Sequence, residues 1–146
     1  MERRMSPEEK LQQLATGLNG VVTYDTGLTF NTEVMAGDEV DVVVVTITDR
    51  EEFPIYITVD ESQILCITHL WKESEVIQEK RVELLDTLLS MTVAMPLSSF
   101  SKVGNQYIVF GALSTQSSLD EMVEELSVLS DNTLTAVEEL MNYLVQ

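Results

Sequence analysis

The chain holds one cysteine, Cys66, and one histidine, His69. Together these two residue types can form the thiolate–imidazole pair of nucleophilic catalysis. Their spacing works against it. Both fall in the run from Ile64 to Trp71, which reads as a strand, and side chains three apart on a strand point to opposite faces. A reactive thiol also needs an electropositive setting, whereas Cys66 is flanked by Ile64, Leu65 and Ile67. Cys66 therefore reads as a buried structural cysteine, and His69 as a surface or sheet-edge residue.

Metal chemistry has equally little to work with. One Cys and one His cannot build a structural zinc centre without several carboxylates. Asp38, Glu39 and Asp41 resemble half of a calcium loop, without the spacing or terminal Glu of an EF-hand. Asp49, Glu51, Glu52, Asp60 and Glu61 could gather carboxylates at the loop ends of a sheet, but nothing in the sequence implies a cleft around them. The chain has no GxGxxG, P-loop or GxSxG motif, and Gly104 and Gly111 are too isolated to cradle phosphate. Gly111, within a strand, is expected to mark a bulge or a close packing contact. No catalytic, cofactor-binding or metal-ligating residue is assigned, no cofactor is called for, and the chain is expected not to be an enzyme.

The elements that would position these residues are readable in order. Ser6-Pro7-Glu8-Glu9 opens a helix with a capping box, and Leu11, Leu14, Ala15 and Leu18 share one face before Asn19-Gly20 ends it. Val21–Tyr24 and Leu28–Phe30 flank Asp25-Thr26-Gly27 as a short hairpin, and Met35–Glu39 reads as a polar connection. Val40 to Thr48 is β-branched almost throughout and is expected to be covered on both faces. Ile55, Ile57 and Val59 alternate with Tyr56, Thr58 and Asp60, and Ile64–Trp71 follows, so three strands form an antiparallel meander. A helix from near Ser74 carries Ile77, Leu84, Leu85, Leu88 and Leu89, with Glu75, Glu79, Lys80, Glu83 and Asp86 outward. Met95–Phe100 and Tyr107–Leu113 form a second hairpin around Val103-Gly104-Asn105, with Pro96 at the start or edge of its strand. Ser118 and Glu121 cap a long last helix, in which Asp131-Asn132-Thr133 is the expected place for a bend. The fold class is α+β: an antiparallel sheet with helices packed on it, ordered helix, three or more strands, helix, two strands, helix, in a single domain spanning residues 1–146.

Size and charge narrow the function. The 146 residues suit one core. Twenty-five Asp and Glu against 8 Lys and Arg leave a net charge of -17. Such a surface repels phosphate backbones and anionic headgroups, so direct nucleic-acid binding is disfavoured, and it steers basic partners inward. One cysteine forms no internal disulfide, and no apolar run behind Arg3-Arg4 suggests a secretory signal or a membrane span, so a cytoplasmic location is expected.

What remains is surplus apolar surface. Trp71, Phe53, Met91, Met95 and the pairs Leu84-Leu85 and Leu88-Leu89 exceed one narrow stripe. Leu84, Leu88 and Met91 run along one side of the second helix, with Leu85 and Leu89 beside it. Either both rows pack inward across a broad stripe or one of them is free to meet a partner, and a homodimer built on this helix is the simplest use of a free row. Trp71, Leu84, Leu88 and Met91, with Glu124 and Glu125 on the last helix steering the encounter, are the candidate partner-binding residues.

At Leu65-Cys66-Ile67, Arg81-Val82-Glu83-Leu84-Leu85, Met95-Pro96-Leu97-Ser98-Ser99-Phe100 and Tyr107-Ile108-Val109-Phe110-Gly111-Ala112-Leu113-Ser114, the chain resembles a family of small uncharacterised bacterial proteins. The likeness covers residues 40–146. Members of that family tend to be encoded beside phage-shock-protein-A-like membrane-stress proteins, which implies such a protein as partner; the family carries no established activity to transfer. In element order and acidity the chain also resembles type III secretion chaperones and YbjN-like proteins, small acidic proteins, often dimeric, that bind protein segments. The early hairpin and the long last helix depart from that pattern. The expected function is a chaperone-like binding or adaptor module linked to bacterial envelope stress. The alternatives are a metal-assisted enzyme using the loop carboxylates, and an acidic mimic of nucleic acid.

Overall fold

The computed structural model describes residues 5–23 and 26–146. The elements run α1 (Pro7–Leu18), β1 (Phe30–Met35), β2 (Val42–Ile47), β3 (Ile55–Val59), β4 (Ile64–Lys72), α2 (Arg81–Ala94), β5 (Ser99–Val103), β6 (Gln106–Leu113) and α3 (Leu119–Leu140). The six strands make one antiparallel sheet in the order β1-β2-β3-β4-β6-β5. This is the α+β arrangement that the sequence predicts.

The strand pattern fixes the layers. Val43, Val45, Ile47, Ile55, Ile57, Val59, Ile64 and Cys66 point to one side and form a core with Leu11, Leu14 and Leu18 of α1 and Met122, Leu126 and Leu129 of α3. Pairings of Val43 with Ile57 and of Ile57 with Cys66 put these side chains in register. A second cluster joins Leu84 and Leu88 of α2 to Trp71, Tyr107 and the end of α3 at Ala136 and Leu140. A register shift between His69 and Lys72 reverses the alternation there, which turns Trp71 inward. All three helices thus lie on one face of the sheet.

Both α1 and α3 begin with complete capping boxes. Ser6 Oγ accepts from the Glu9 amide at 3.1 Å and Ser118 Oγ from the Glu121 amide at 3.1 Å, and each Glu carboxylate returns a bond to its Ser amide. Each box contributes about 1 kcal/mol to helix formation. Gly104, at φ 59, opens the two-residue β5–β6 turn at a position that demands positive φ.

The short early hairpin is present: Val22 bridges Thr29, Thr23 N–H donates to the Leu28 carbonyl (2.9 Å) and Phe30 N–H to the Val21 carbonyl (2.9 Å), while Tyr24 and Asp25 of the expected hairpin lie outside the described residues. Its second arm runs on as β1 through Met35. Three expectations are corrected. Strand β2 is not covered on both faces: Val43, Val45 and Ile47 are buried while Val42, Val44 and Thr46 are half-exposed, because every helix lies on the other side. The helix near Ser74 begins only at Arg81. Before it come two 3-10 turns, Glu73–Glu75 and Gln78–Lys80, and between them the carboxy-terminal segment holds Val76 and Ile77 extended, through a Val76–Leu144 bridge, Ile77 N–H to the Tyr143 carbonyl (2.8 Å) and Val145 N–H to the Glu75 carbonyl (2.7 Å).

The last helix is unbroken for 22 residues, about 33 Å at 1.5 Å per residue. The three residues expected to interrupt it have partners that leave the helix intact. Asp131 pairs with Arg50, Asn132 Nδ2 donates to the Pro96 carbonyl and Ser98 Oγ (both 2.9 Å), and Thr133 Oγ1 donates back to the Leu129 carbonyl (2.8 Å).

Candidate functional site

The densest polar cluster centres on Glu73, the first residue after β4. Its Oε1 accepts from Lys102 Nζ (2.7 Å), Arg81 Nε (2.9 Å) and the Tyr107 hydroxyl (3.1 Å), and Gln78 Nε2 reaches Oε2 at 3.2 Å. Lys102 above all, with Gln78, Arg81 and Tyr107, holds the Glu73 carboxyl down at about 2, against the cost of desolvation. A carboxylate so neutralised has no proton to exchange near neutral pH. The cluster latches β4, β5 and the start of α2 together, and nothing in it is poised to react.

The second cluster is buried. Glu125 projects from α3 onto Gly111 of β6, which pairs with Cys66 on β4. Glu125 is 4% exposed, and its Oε1 has no hydrogen-bond partner. Burial, and then the neighbouring Glu124, raise its carboxyl above the ordinary range. Burial likewise pushes the Cys66 thiol up, with Glu125 adding to it, so Cys66 is inert as a nucleophile. His69 lies on the opposite face, exposed and stacked on Tyr56 with ring centroids 5.0 Å apart. It sits on a central strand instead of a sheet edge. Among the described residues no group of three or more His, Cys, Asp and Glu could hold a metal ion.

The six candidate partner residues do not gather on one surface. Trp71, Leu84 and Leu88 are buried in the second core cluster, and Met91 is half-buried against it. The row expected to meet a partner therefore packs inward, because it is the row in phase with Trp71, Tyr107 and Leu140. The outward row is Val82 (80% exposed), Leu89 (75%) and Val93 (91%). Glu125 is also turned inward: it lies three residues after Met122 and four before Leu129, on the apolar phase of α3. That phase, together with a glycine in the facing strand, was the available sequence signal. Glu124 alone of the six is exposed, and it lines a cleft.

The cleft, of about 530 Å³, lies between α3 and the corner of the sheet formed by β1, β2 and the loop after β2. Leu28, Phe30, Ile47, Val123 and Val128 contribute its apolar lining, and Asp120, Glu124, Asp131 and Arg50 its charges. Arg50 is already engaged, through Nη1 to Asp131 Oδ1 (2.6 Å) and to Ser130 Oγ (3.0 Å). The outer face of the sheet is a second open surface. By strand alternation it carries Val42, Val44, Tyr56, Leu65, Ile67 and Phe110, all half-exposed and none part of either core cluster. Across its four inner strands it holds no acidic side chain, in a chain of net charge -17.

Residues 9–144 match the model of a family described as uncharacterized proteins conserved in bacteria, DUF2170. The chain belongs to the DUF2170 family. Among curated proteins none matches it. Among solved structures, this DUF2170 chain is similar to a chain of the heterodimeric complex ExoU–SpcU from the type III secretion system of Pseudomonas aeruginosa. The TM-score is 0.52 at 12% identity, over 90% of this chain and 94% of that one. The likeness is one of fold, and the expected type III secretion chaperone-like architecture is present. No helix among the described residues is long and apolar enough to cross a membrane.

Proposed function

We propose that this DUF2170 protein is a non-enzymatic, chaperone-like module of the bacterial cytoplasm that holds a protein partner. The observation that carries the reading is the outer face of the sheet. An antiparallel sheet with one solvated side ordinarily alternates apolar and polar residues. Here the solvated side keeps Val42, Val44, Tyr56, Leu65, Ile67 and Phe110, and the acidic residues that crowd the rest of the sequence are missing from its centre. Thr46, Thr58 and His69 are interspersed on this face and Lys72 stands at the end of β4, but an apolar, acid-free centre on a strongly acidic protein is the compositional mark of an interface. The similarity in fold to a chain of a heterodimeric secretion complex agrees with it.

The partner to test first is a basic, helical phage-shock-protein-A-like membrane-stress protein, which would tie the module to envelope stress. The purified pair should give a measurable heat of binding that weakens as salt rises, and Ile67→Glu with Phe110→Glu should abolish it. Absence of binding at low salt removes that partner. Failure to recover any protein from native cells with the tagged full chain removes the reading itself.

A second copy of the chain is the other reading, and one observation favours it. Val82, Leu89 and Val93 form an exposed apolar stripe on α2, the helix expected to carry a homodimer. Light scattering across a concentration series should show a dimer that Leu89→Lys dissociates; a monomer at every concentration rules it out.

A further inference from the structure

We propose that the cleft between α3 and the β1–β2 corner seats a basic, apolar peptide segment of the protein partner. The inference rests on the binding-module reading and assigns it a second, chemically distinct site. Half-exposed Leu28 before β1 and Val123 and Val128 on α3 give the floor its accessible apolar surface, and beneath them lie Phe30 of β1 and Ile47 of β2, both buried in the core. A concavity of about 530 Å³ is ample for bulky apolar side chains from a segment laid along it.

Charge selects the occupant. Asp120 and Glu124 stand one helical turn apart on α3, both exposed at the rim. Arg50, the cation of the cleft, is tied to Asp131 and Ser130 and so does not answer them. The rim is thus net negative on a protein that is itself at -17, and it repels phosphate groups, whether of nucleic acid or of lipid. Lysine or arginine flanking a bulky apolar residue satisfies both floor and rim. The centre of the outer sheet face, without acids on its four inner strands, offers no such selection.

The test uses the full chain and a short acetylated peptide alternating Leu or Phe with Lys, followed by fluorescence anisotropy. Binding should weaken with salt, and Glu124→Lys or Val128→Ser should each raise Kd at least about tenfold while leaving the melting temperature close to that of the parent. A peptide that fails to bind, or that binds both variants as tightly as the parent, overturns the proposal. So does an all-lysine peptide that binds equally well, since attraction would then be unselective. The partner distinguishes the two readings: a native partner held as tightly by Glu124→Lys as by the parent excludes the cleft while the module stands, whereas a parent protein that captures no partner removes the module.

Discussion

A methyl group at Gly111 would fall on the Glu125 carboxyl. A Cβ built there meets Glu125 Oε1, lies 2.9 Å from its Cδ and stands 3.1 Å from the Leu97 carbonyl oxygen. Leu97 is itself at φ 64, an unusual conformation for leucine. The glycine is a hollow in the sheet into which α3 inserts a carboxyl.

Gly111→Ala should therefore destabilise the fold by about 1–3 kcal/mol, the usual cost of overpacking. Glu125→Ala in the same chain should recover part of that loss. Denaturant melts of the two single variants and the double variant give the coupling; purely additive changes would show that the two residues do not share this space.

Glu125 predicts a pH dependence. Its folded carboxyl titrates above the unfolded one, so the folded state binds the extra proton. The stability this proton gives is complete below the unfolded value and is lost as pH rises through the folded value. Glu125→Gln, which keeps the shape without the charge, should be more stable than the parent at neutral pH by about 1–2 kcal/mol. The gap should close as the medium is acidified towards the carboxylate range. Equal melting temperatures at neutral pH would count against a buried ionisable group.

Glu73 runs the other way. Its carboxyl is held at about 2 by Lys102 and its other partners, so its contribution is present above the unfolded carboxylate value and lost as pH falls towards 2. Removing it with Glu73→Gln should cost about 1 kcal/mol at neutral pH, the scale of a partly exposed ion-pair network. The effect should fade in acid, and thermal melts in paired buffers measure it.

The two leucine rows of α2 should behave oppositely. Leu84→Ala, at a fully buried position, should cost about 2–5 kcal/mol through lost burial and a cavity. Leu89→Ala, at a position 75% exposed, should change stability by no more than about 0.5 kcal/mol. Urea denaturation decides this, and similar losses for both would mean that the helix is rotated about its axis.

Arg50 joins the loop after β2 to α3. Arg50→Ala loses both the Asp131 pair and the Ser130 bond and should cost about 1 kcal/mol; Asp131→Ala, which keeps the Ser130 bond, should cost less. A larger loss for Asp131→Ala would contradict the geometry.

The sequence carried the element order because period-two runs such as Ile55–Val59 and capping boxes at Ser6 and Ser118 are local signals. It could not show that all three helices cover the same side, since that depends on which residues of distant strands pair. Hence β2, with valine on both sides, read as doubly covered. Helix α2 starts later than its local pattern predicts because Val76 and Ile77 are held extended by Leu144 and Tyr143, far along the chain. The site residues were harder still. Leu84 and Leu89 are both leucine, and only the position of Trp71, turned inward by a bulge, tells which of them faces in. Glu125 has the local pattern of a surface acid, and only Gly111 on the facing strand makes room for it inside.

Cys66, sealed between α3 and the centre of the sheet, gives the molecule a built-in clock. Its thiol is wholly buried and its ionisation suppressed, so alkylating reagents reach it only when α3 lifts away or the chain unfolds. The rate of iodoacetamide capture then counts opening events in a protein carrying no foreign label, and any ligand that pins α3 to the sheet slows the count.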